Sequence, residues 1–347
     1  MRVLVTGHRG YVGSVLTTLL RHARYEVAGL DSDLFADCDF GRVRSDVPCF
    51  DLDLRHVEFT DLLSFDAVVH LAALSDDASG DIDPQLTRQI NHEATLRLAE
   101  CCKKAQVSRF LFASSCAVYG RAGFECLTEE HAPAPLTAYA WSKWAAERDV
   151  AQLADRDFCP VFLRCATAYG VSPRLRLDSV VNGFAGAALT TGRIAMRSSG
   201  AAWCPVVHVE DLARVYAALL AAPADTVHNG VFNVVERNGN YRTIDIADMI
   251  GDAIKPCIRS AGVDPANEPS HRVDGARLAE ALPEFAFRWT LPMGILQLRR
   301  AMLGAGLTPG DWRSDRFRRS LRLAGLMEQG TLDGSLQRTG ATQAAAV

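Results

Sequence analysis

Residues 2–13 read Arg2-Val3-Leu4-Val5-Thr6-Gly7-His8-Arg9-Gly10-Tyr11-Val12-Gly13, and this stretch decides the fold. Arg2–Thr6 is a short apolar run suited to a buried strand. It ends in T-G-x-x-G-x-x-G, and from Tyr11 the apolar residues recur at helical spacing as far as His22. The glycines allow a tight turn, close approach of the backbone to a pyrophosphate, and close packing of the helix on the strand. The helix start then points its free N–H groups at the phosphates. Glycine spacing alone is a weak signal, but a strand before it and a helix after it supply the confirming context. About 20 residues on, Asp31 ends a second strand-like run (27–31). A carboxylate there accepts both ribose hydroxyls and repels a 2′-phosphate, which favours NAD over NADP. Arg9, basic and in the same turn, leaves NADP open at this stage.

Outward from this stretch, strand-like and helix-like segments alternate. Residues 65–71 (FDAVVHL), 109–114 (RFLFAS) and 160–165 (PVFLRC) are bounded apolar runs. Helical patterns at 89–105 and 141–154 lie between and after them. Repeated β-α-β with fully apolar strands predicts an α/β fold, a doubly wound parallel sheet covered on both faces. Beyond residue 170 the rhythm loosens. Strand-like runs at 206–209 and 231–235, each near a helical pattern (210–221 and 243–254), suggest returns to the main sheet. The expected division is 1–170 for the nucleotide-binding domain, 171–300 mainly for a smaller substrate-binding lobe, and 301–347 for a C-terminal extension. The 299–338 stretch holds eight Arg against four Asp or Glu, and Phe317, Leu321 and Ala324 fall on one helical face. The last eight residues, GATQAAAV, look like a frayed end.

Composition narrows the classes further. The chain has 347 residues, 48% hydrophobic and 22% charged, which excludes wholesale disorder. A formal net charge of -4 offers no globally basic face for nucleic acid. No apolar run approaches the roughly 20 residues of a bilayer span, and no secretory signal is visible at MRVLVTG. A cytoplasmic protein with reduced cysteines is expected. The ten cysteines show no CxxC spacing and no Cys/His quartet suited to zinc, so no metal is expected.

The chemistry sits in two further segments. Tyr139-Ala140-Trp141-Ser142-Lys143 is Y-x-x-x-K, which on a helix puts phenol and ammonium on one face. A nearby Lys⁺ and a positively charged nicotinamide would lower the tyrosine pKa toward that of a usable base. Upstream, the 109–114 strand runs into Ser114-Ser115-Cys116-Ala117-Val118-Tyr119-Gly120, placing hydroxyls where parallel sheets hold their ligands. His70, inside an apolar run, reads as a core histidine.

Together these residues resemble the extended short-chain dehydrogenase/reductase family, in particular its nucleotide-sugar epimerases and dehydratases. The resemblance covers about residues 1–300. It rests on ordered pieces: TGHRGYVG, Asp31, Asp53-Leu54, HLAA (70–73), Asn91, SSCAVYG (114–120), YAWSK (139–143), LRCATAYG (163–170), VVHVEDLA (206–213) and Arg272. It implies a Rossmann-type sheet with Ser115, Tyr139 and Lys143 as catalytic residues. For the NAD pocket it implies Gly7, Arg9, Gly10, Tyr11, Val12 and Gly13, with Asp31, Asp53 and Leu54 toward the adenosine. Leu71, Ala72, Ala73, Asn91 and Ser114 complete that pocket beside Tyr139 and Lys143. Ser75, Ser115, Cys116, Thr167, Asn182, His208 and Arg272 are the positions implied for a nucleoside-diphosphate sugar. Asn91, His208 and Arg272 also have plain structural readings: a hydrogen-bonder, a strand anchor and a surface pair. The resemblance further implies a homodimer built on two helices per subunit, near 89–105 and 141–154.

The resemblance also bears on the reaction. The family's shared step removes a hydride from a sugar carbon, with Tyr139 taking the hydroxyl proton. The 4,6-dehydratases carry Thr-Asp-Glu where this chain has Ser115-Cys116-Ala117. Without that acid pair, dehydration is disfavoured, and decarboxylation likewise. A 4-epimerase that recycles its NAD is the leading expectation. A ketoreductase or dehydrogenase, a 4,6-dehydratase and a non-catalytic NAD-binding module are the alternatives. Cys165, Thr167 and Cys204 depart from common family patterns and suggest a specialised sugar.

Overall fold

The computed structural model describes residues 1–41, 47–196, 198–254, 258–263 and 269–339. The expected frayed end, 340–347, lies outside the described residues. Seven strands form the central sheet: β1 (Arg2–Thr6), β2 (Glu26–Asp31), β3 (Cys49–Asp51), β4 (Ala67–His70), β5 (Arg109–Ser115), β6 (Cys159–Cys165) and β7 (Gly230–Val234). Their order is β7-β6-β5-β4-β1-β2-β3, and every pairing is parallel. Strand order therefore reverses between β1 and β4, where open parallel sheets hold their ligands. This is the doubly wound Rossmann-type sheet that the sequence predicts.

Side-chain alternation explains why the strands read as continuous apolar runs. Val3, Val5, Val69 and Leu111 enter one core, while Leu4, Val68, Phe110 and Phe112 enter the other. Both faces are buried, so the period of two is masked in the sequence. Helix α1 (Tyr11–His22) contributes Leu16 and Leu20 to the first core. Helix α2 (Ala94–Lys104), entered through a π turn at Gln89–Glu93, contributes Leu98 and Ala99 to the second.

Three local expectations need correction. The 206–209 run is not a return to the main sheet. Trp203–His208 pairs instead with Thr167–Tyr169, in parallel, and with Asn240–Arg242, antiparallel, in a separate three-stranded sheet. Only Ala166 separates Thr167–Tyr169 from β6, so the chain leaves the main sheet there and takes its partner with it. The 141–154 helix begins earlier, as α3 (Ala138–Ala151), because the Thr137 hydroxyl caps it by accepting from Ala140 N at 3.1 Å. Tyr139 is thus in the first helical turn. In the tail, helix α4 (Arg319–Glu328) buries Leu323 and Leu326, whereas Leu321 is exposed.

A further core lies around Leu175, Leu177, Val181, Ile246, Leu291 and Ile295, and Phe317 of the tail is buried in it. The tail then packs Leu323, Leu326, Leu332 and Leu336 against Leu74 and Leu86, with Leu34, Phe35 and Ile90 alongside. It thereby lies along the mouth of the cleft at the strand C-termini. No described helix is long and apolar enough to cross a membrane.

Candidate active site

A cleft of about 580 Å³ opens along the C-terminal ends of β1, β2, β4, β5 and β6. At one end lies the glycine turn. Gly7 has φ +70°, and a Cβ there would sit 2.7 Å from the Ala72 nitrogen; a Cβ on Gly13 would overlap the Gly7 carbonyl oxygen. Helix α1 therefore abuts β1 and β4 as closely as backbone allows. Its N-cap, Gly10, supplies no side-chain acceptor, and its first turn holds no acid. The first N–H groups remain available to an anion, and the cradle fits a dinucleotide pyrophosphate.

Asp31 is fixed by its own neighbours. One oxygen accepts Arg9 N at 3.0 Å and the other accepts Asp33 N at 2.9 Å. Arg9 turns its guanidinium away to Asp51 at 2.6 Å and Asp33 at 3.2 Å. A 2′-phosphate here would meet three carboxylates, so the arginine that left NADP open in the sequence is already neutralised. Asp53 and Leu54 also line the cleft. The Asp53 carboxylate binds the Arg55 guanidinium at 2.6 Å, and its hydrogen bonds hold its pKa down in spite of burial. Tyr11 lines the cleft, its hydroxyl donating to Gly170 O at 2.7 Å. Val12, Leu71, Ala72 and Ala73 complete the apolar floor.

The reacting end is built by β5 and α3. Ser115, at the end of β5, stands by the Tyr139 phenol and acts to lower its pKa. Its hydroxyl accepts from Ala117 N at 3.1 Å. Lys143, one turn beyond Tyr139, donates its ammonium to Ala113 O at 2.8 Å. Lys143 is buried and Tyr139 half-buried. Burial pulls the Lys143 ammonium down to about 8. Without the nicotinamide charge, burial pushes the Tyr139 phenol up, eased by Ser115, with Asp77 adding to the rise. The lysine is aimed at a backbone carbonyl, which limits its pull on the phenol. Ser114 lines the cleft, but its hydroxyl donates to Glu147.

Among the sugar-side candidates, Ser75, Ser115, Cys116 and Thr167 line the cleft. The Ser75 hydroxyl accepts from Arg176 at 2.8 Å. Cys116 is a buried thiol donating to Arg164 O at 3.1 Å, and burial pushes its pKa well up. Thr167 accepts from Cys204 Sγ at 3.5 Å.

Four expected ligand residues are not brought to the cleft. Asn91 is buried: its oxygen accepts Leu74 N at 2.8 Å, and its amide donates to Leu74 O at 3.0 Å and Ser142 Oγ at 3.2 Å. It ties Leu74 to Ser142 of α3, the residue before Lys143. Asn182 is equally buried, joining Gly170 N at 2.9 Å to the Tyr11 hydroxyl at 3.0 Å. His208 caps helix Val209–Ala221 by accepting Glu210 N at 3.2 Å, and its ring stacks on Trp289 at 4.1 Å. Arg272 lies over the Trp203 ring at 5.0 Å, with Trp203 itself on the cleft wall. His70 is the core histidine expected. Thr95 donates to Asn91 O, so its oxygen accepts from His70 Nε2 at 2.8 Å, and Thr6 serves His70 Nδ1 at 2.7 Å.

The sequence reading missed Asp76, Asp77, Arg176 and Asp178, all on the cleft wall. Arg176 pairs with Asp178 at 2.8 Å and with Asp76. Burial raises the Asp77 carboxyl, which accepts from the Thr137 hydroxyl at 2.6 Å. The adjacent acids after HLAAL were a visible signal; their union with Arg176, a hundred residues on, was not. Among the described residues no cluster of three His, Cys, Asp or Glu side chains could hold a metal. The nine cysteines described are all free.

The fold and site define a Rossmann-type, NAD-binding protein. The chain belongs to the NAD dependent epimerase/dehydratase family, whose profile matches residues 3–234. It is 33% identical to a UDP-glucose 4-epimerase of Streptomyces lividans over 153 residues, 42% of this chain and 45% of that one. The match thus spans about half the length of that curated relative. Among solved structures, MoeE5 in complex with UDP-glucuronic acid and NAD is similar at 26% identity and a TM-score of 0.77, covering 88% of this chain and all of that one. TunA, an NAD-dependent NDP-hexosamine 5,6-dehydratase, is 21% identical with a TM-score of 0.78 over 87% of this chain and 98% of its own, and shares the fold.

Proposed function

We propose that this chain is an NAD-dependent 4-epimerase of a nucleoside-diphosphate sugar. The observation that carries this reading is the Ser115–Tyr139–Lys143 set beside Cys116 and Ala117. It can take one proton from a hydroxyl and return it. The thiol next to Ser115 is buried, neutral and committed to Arg164 O, and the following side chain is a methyl group. Proton transfer at a neighbouring carbon has no partner there.

Bound NAD supplies a place for a hydride to be held and returned. Tyr139, its phenol brought down by the positive nicotinamide that bound NAD would supply, takes the C4 hydroxyl proton while Ser115 donates to the same oxygen. Lys143 holds positive charge near the phenol and braces α3 against Ala113 O. After the keto-sugar turns, so that hydride would come back to the opposite face of C4, Tyr139 returns the proton to the same oxygen. The likeness to a UDP-glucose 4-epimerase and to a UDP-sugar-bound structure supports a uridine nucleotide as the first ligand to try. In this reading residues 1–170 hold the cofactor, 171–300 mainly hold the sugar nucleotide, and the remainder extends over the cleft.

Asp77 favours a second reading. Its raised carboxyl lies beside Tyr139 in the same cleft and could supply the acid that dehydration needs. A panel of UDP-, GDP-, dTDP- and CDP-sugars separates the two. Equal-mass epimers formed without added cofactor support the 4-epimerase; loss of water from the product supports the Asp77 reading. Consumption of stoichiometric NAD(P)H contradicts both.

A cytoplasmic homodimer is part of the proposal. Trp141 on α3 is 38% exposed, packed edge-on against His92 of the π turn before α2. Light scattering should give twice the 37.7 kDa chain mass; a monomer contradicts it.

A further inference from the structure

Arg319 is a buried cation from the C-terminal extension that reaches the cleft wall. The residue is 4% exposed. Its neighbours Arg174 and Arg176 each have carboxylates: Asp39 at 3.0 Å for the first, Asp178 at 2.8 Å for the second. Arg319 forms no ion pair among the described residues. Its Nη2 reaches only Arg174 O at 3.4 Å, and its buried Nη1 has no partner in the protein. Burial and the Arg176 charge pull its pKa down to about 10. A guanidinium left so, beside two other arginines, lacks an anion.

The anion's position follows from what holds the tail. The Arg319 guanidinium lies over the Phe35 ring at 4.1 Å. Phe35 belongs to the segment leaving β2, four residues after Asp31. The rest of the tail is fastened to that same segment. Arg316 donates to Asp39 O at 2.5 Å, Arg322 pairs with Asp37 at 3.2 Å, and Arg338 donates to Asp33 O at 2.8 Å. Leu336 joins Leu34 and Phe35 in one apolar cluster and lines the cleft. The cation therefore stands over the segment that follows Asp31, at the cofactor end of the cleft. Arg319 lies well past Val234, where the family match ends.

We propose that Arg319 is a phosphate-binding residue for the dinucleotide, its Nη1 donating to a pyrophosphate oxygen. The extension thus closes the cofactor in with one charge-assisted hydrogen bond and the Leu336 contact. The inference rests on the cofactor being NAD and does not depend on which sugar reaction follows.

The test follows release of bound NAD from the purified holoenzyme into excess etheno-NAD, with UDP affinity measured in parallel. Arg319→Met should release NAD about 10- to 100-fold faster, as expected for losing a charge-assisted contact, and leave UDP affinity unchanged. Its release rate should also depend less on salt than that of the wild type. Arg319→Lys, which keeps the charge, should fall between the two and serves if the Met variant does not fold. Unchanged release overturns the proposal. A matching loss of UDP affinity overturns it too, by giving the anion to the sugar nucleotide. So does faster release with the wild-type salt dependence, which would mean a tail merely loosened. None of these outcomes bears on the epimerase reading, which the sugar panel tests separately.

Discussion

Glu147, one helical turn beyond Lys143 on α3, accepts the Arg164 guanidinium of β6 at 2.8 Å, and both side chains are only 6% exposed. The same carboxylate accepts the Ser114 hydroxyl at the end of β5. One buried charge therefore locks the helix carrying Tyr139 and Lys143 to the two strands beneath it. Glu147→Ala leaves Arg164 charged and buried, at a cost of roughly 3–5 kcal/mol. A urea melt should show a large loss of stability, and turnover should fall with it. A loss below about 1 kcal/mol would remove Glu147 from this role.

Lys143 predicts the alkaline side of the pH–rate profile. Burial brings its ammonium down to about 8, so the charge is present at neutrality and lost as pH rises through that value. Turnover should fall above about pH 8. Lys143→Arg, which stays charged, should shift that limb upward even if its rate is lower. An identical limb in the variant would assign it to another group. Tyr139→Phe should lose roughly 10²- to 10⁴-fold in turnover while keeping bound NAD. Full activity in that variant would exclude the phenol as the base.

His70 predicts how stability depends on acid. Burial, with the Lys143 charge adding to it, lowers its folded pKa to about 3 from an ordinary value near 6.5. The folded state refuses a proton that the unfolded chain takes. Stability is therefore complete above about pH 6.5 and is lost as pH falls from there toward 3. Between pH 6.5 and 5 the loss from this residue is about 2 kcal/mol. His8, His208 and His271 are lowered by burial as well and act in the same direction. Denaturant melts at pH 7 and pH 5 check the sign, and His70→Gln should reduce the difference. Equal stability at the two pH values would contradict the neutral, enclosed imidazole.

Much of the cofactor half was legible because its signals are local. The glycine turn, Asp31 and the Tyr139–Lys143 spacing each follow from a few adjacent residues. Buried strands announced themselves as apolar runs. What escaped is long-range. Asn91, Asn182 and His208 carry the right chemistry for ligands, but their polar atoms are spent on backbone and neighbouring side chains that only the fold supplies. Trp203–His208 has the pattern of a main-sheet strand, yet its partner had already left that sheet. The arginine-rich tail was visible as composition, while the place of Arg319 depends on Phe35, distant in the chain.

The central claim, reversible C4 oxidation with no proton transfer at a neighbouring carbon, is tested most directly by isotope. A nucleoside-diphosphate sugar deuterated at C4 should be converted in ordinary water, without added cofactor, to its C4 epimer with the deuterium still at C4. No solvent hydrogen should appear at C3 or C5 in NMR and mass spectra. Loss of water from the sugar, or deuterium missing from C4 of the product, would contradict the account.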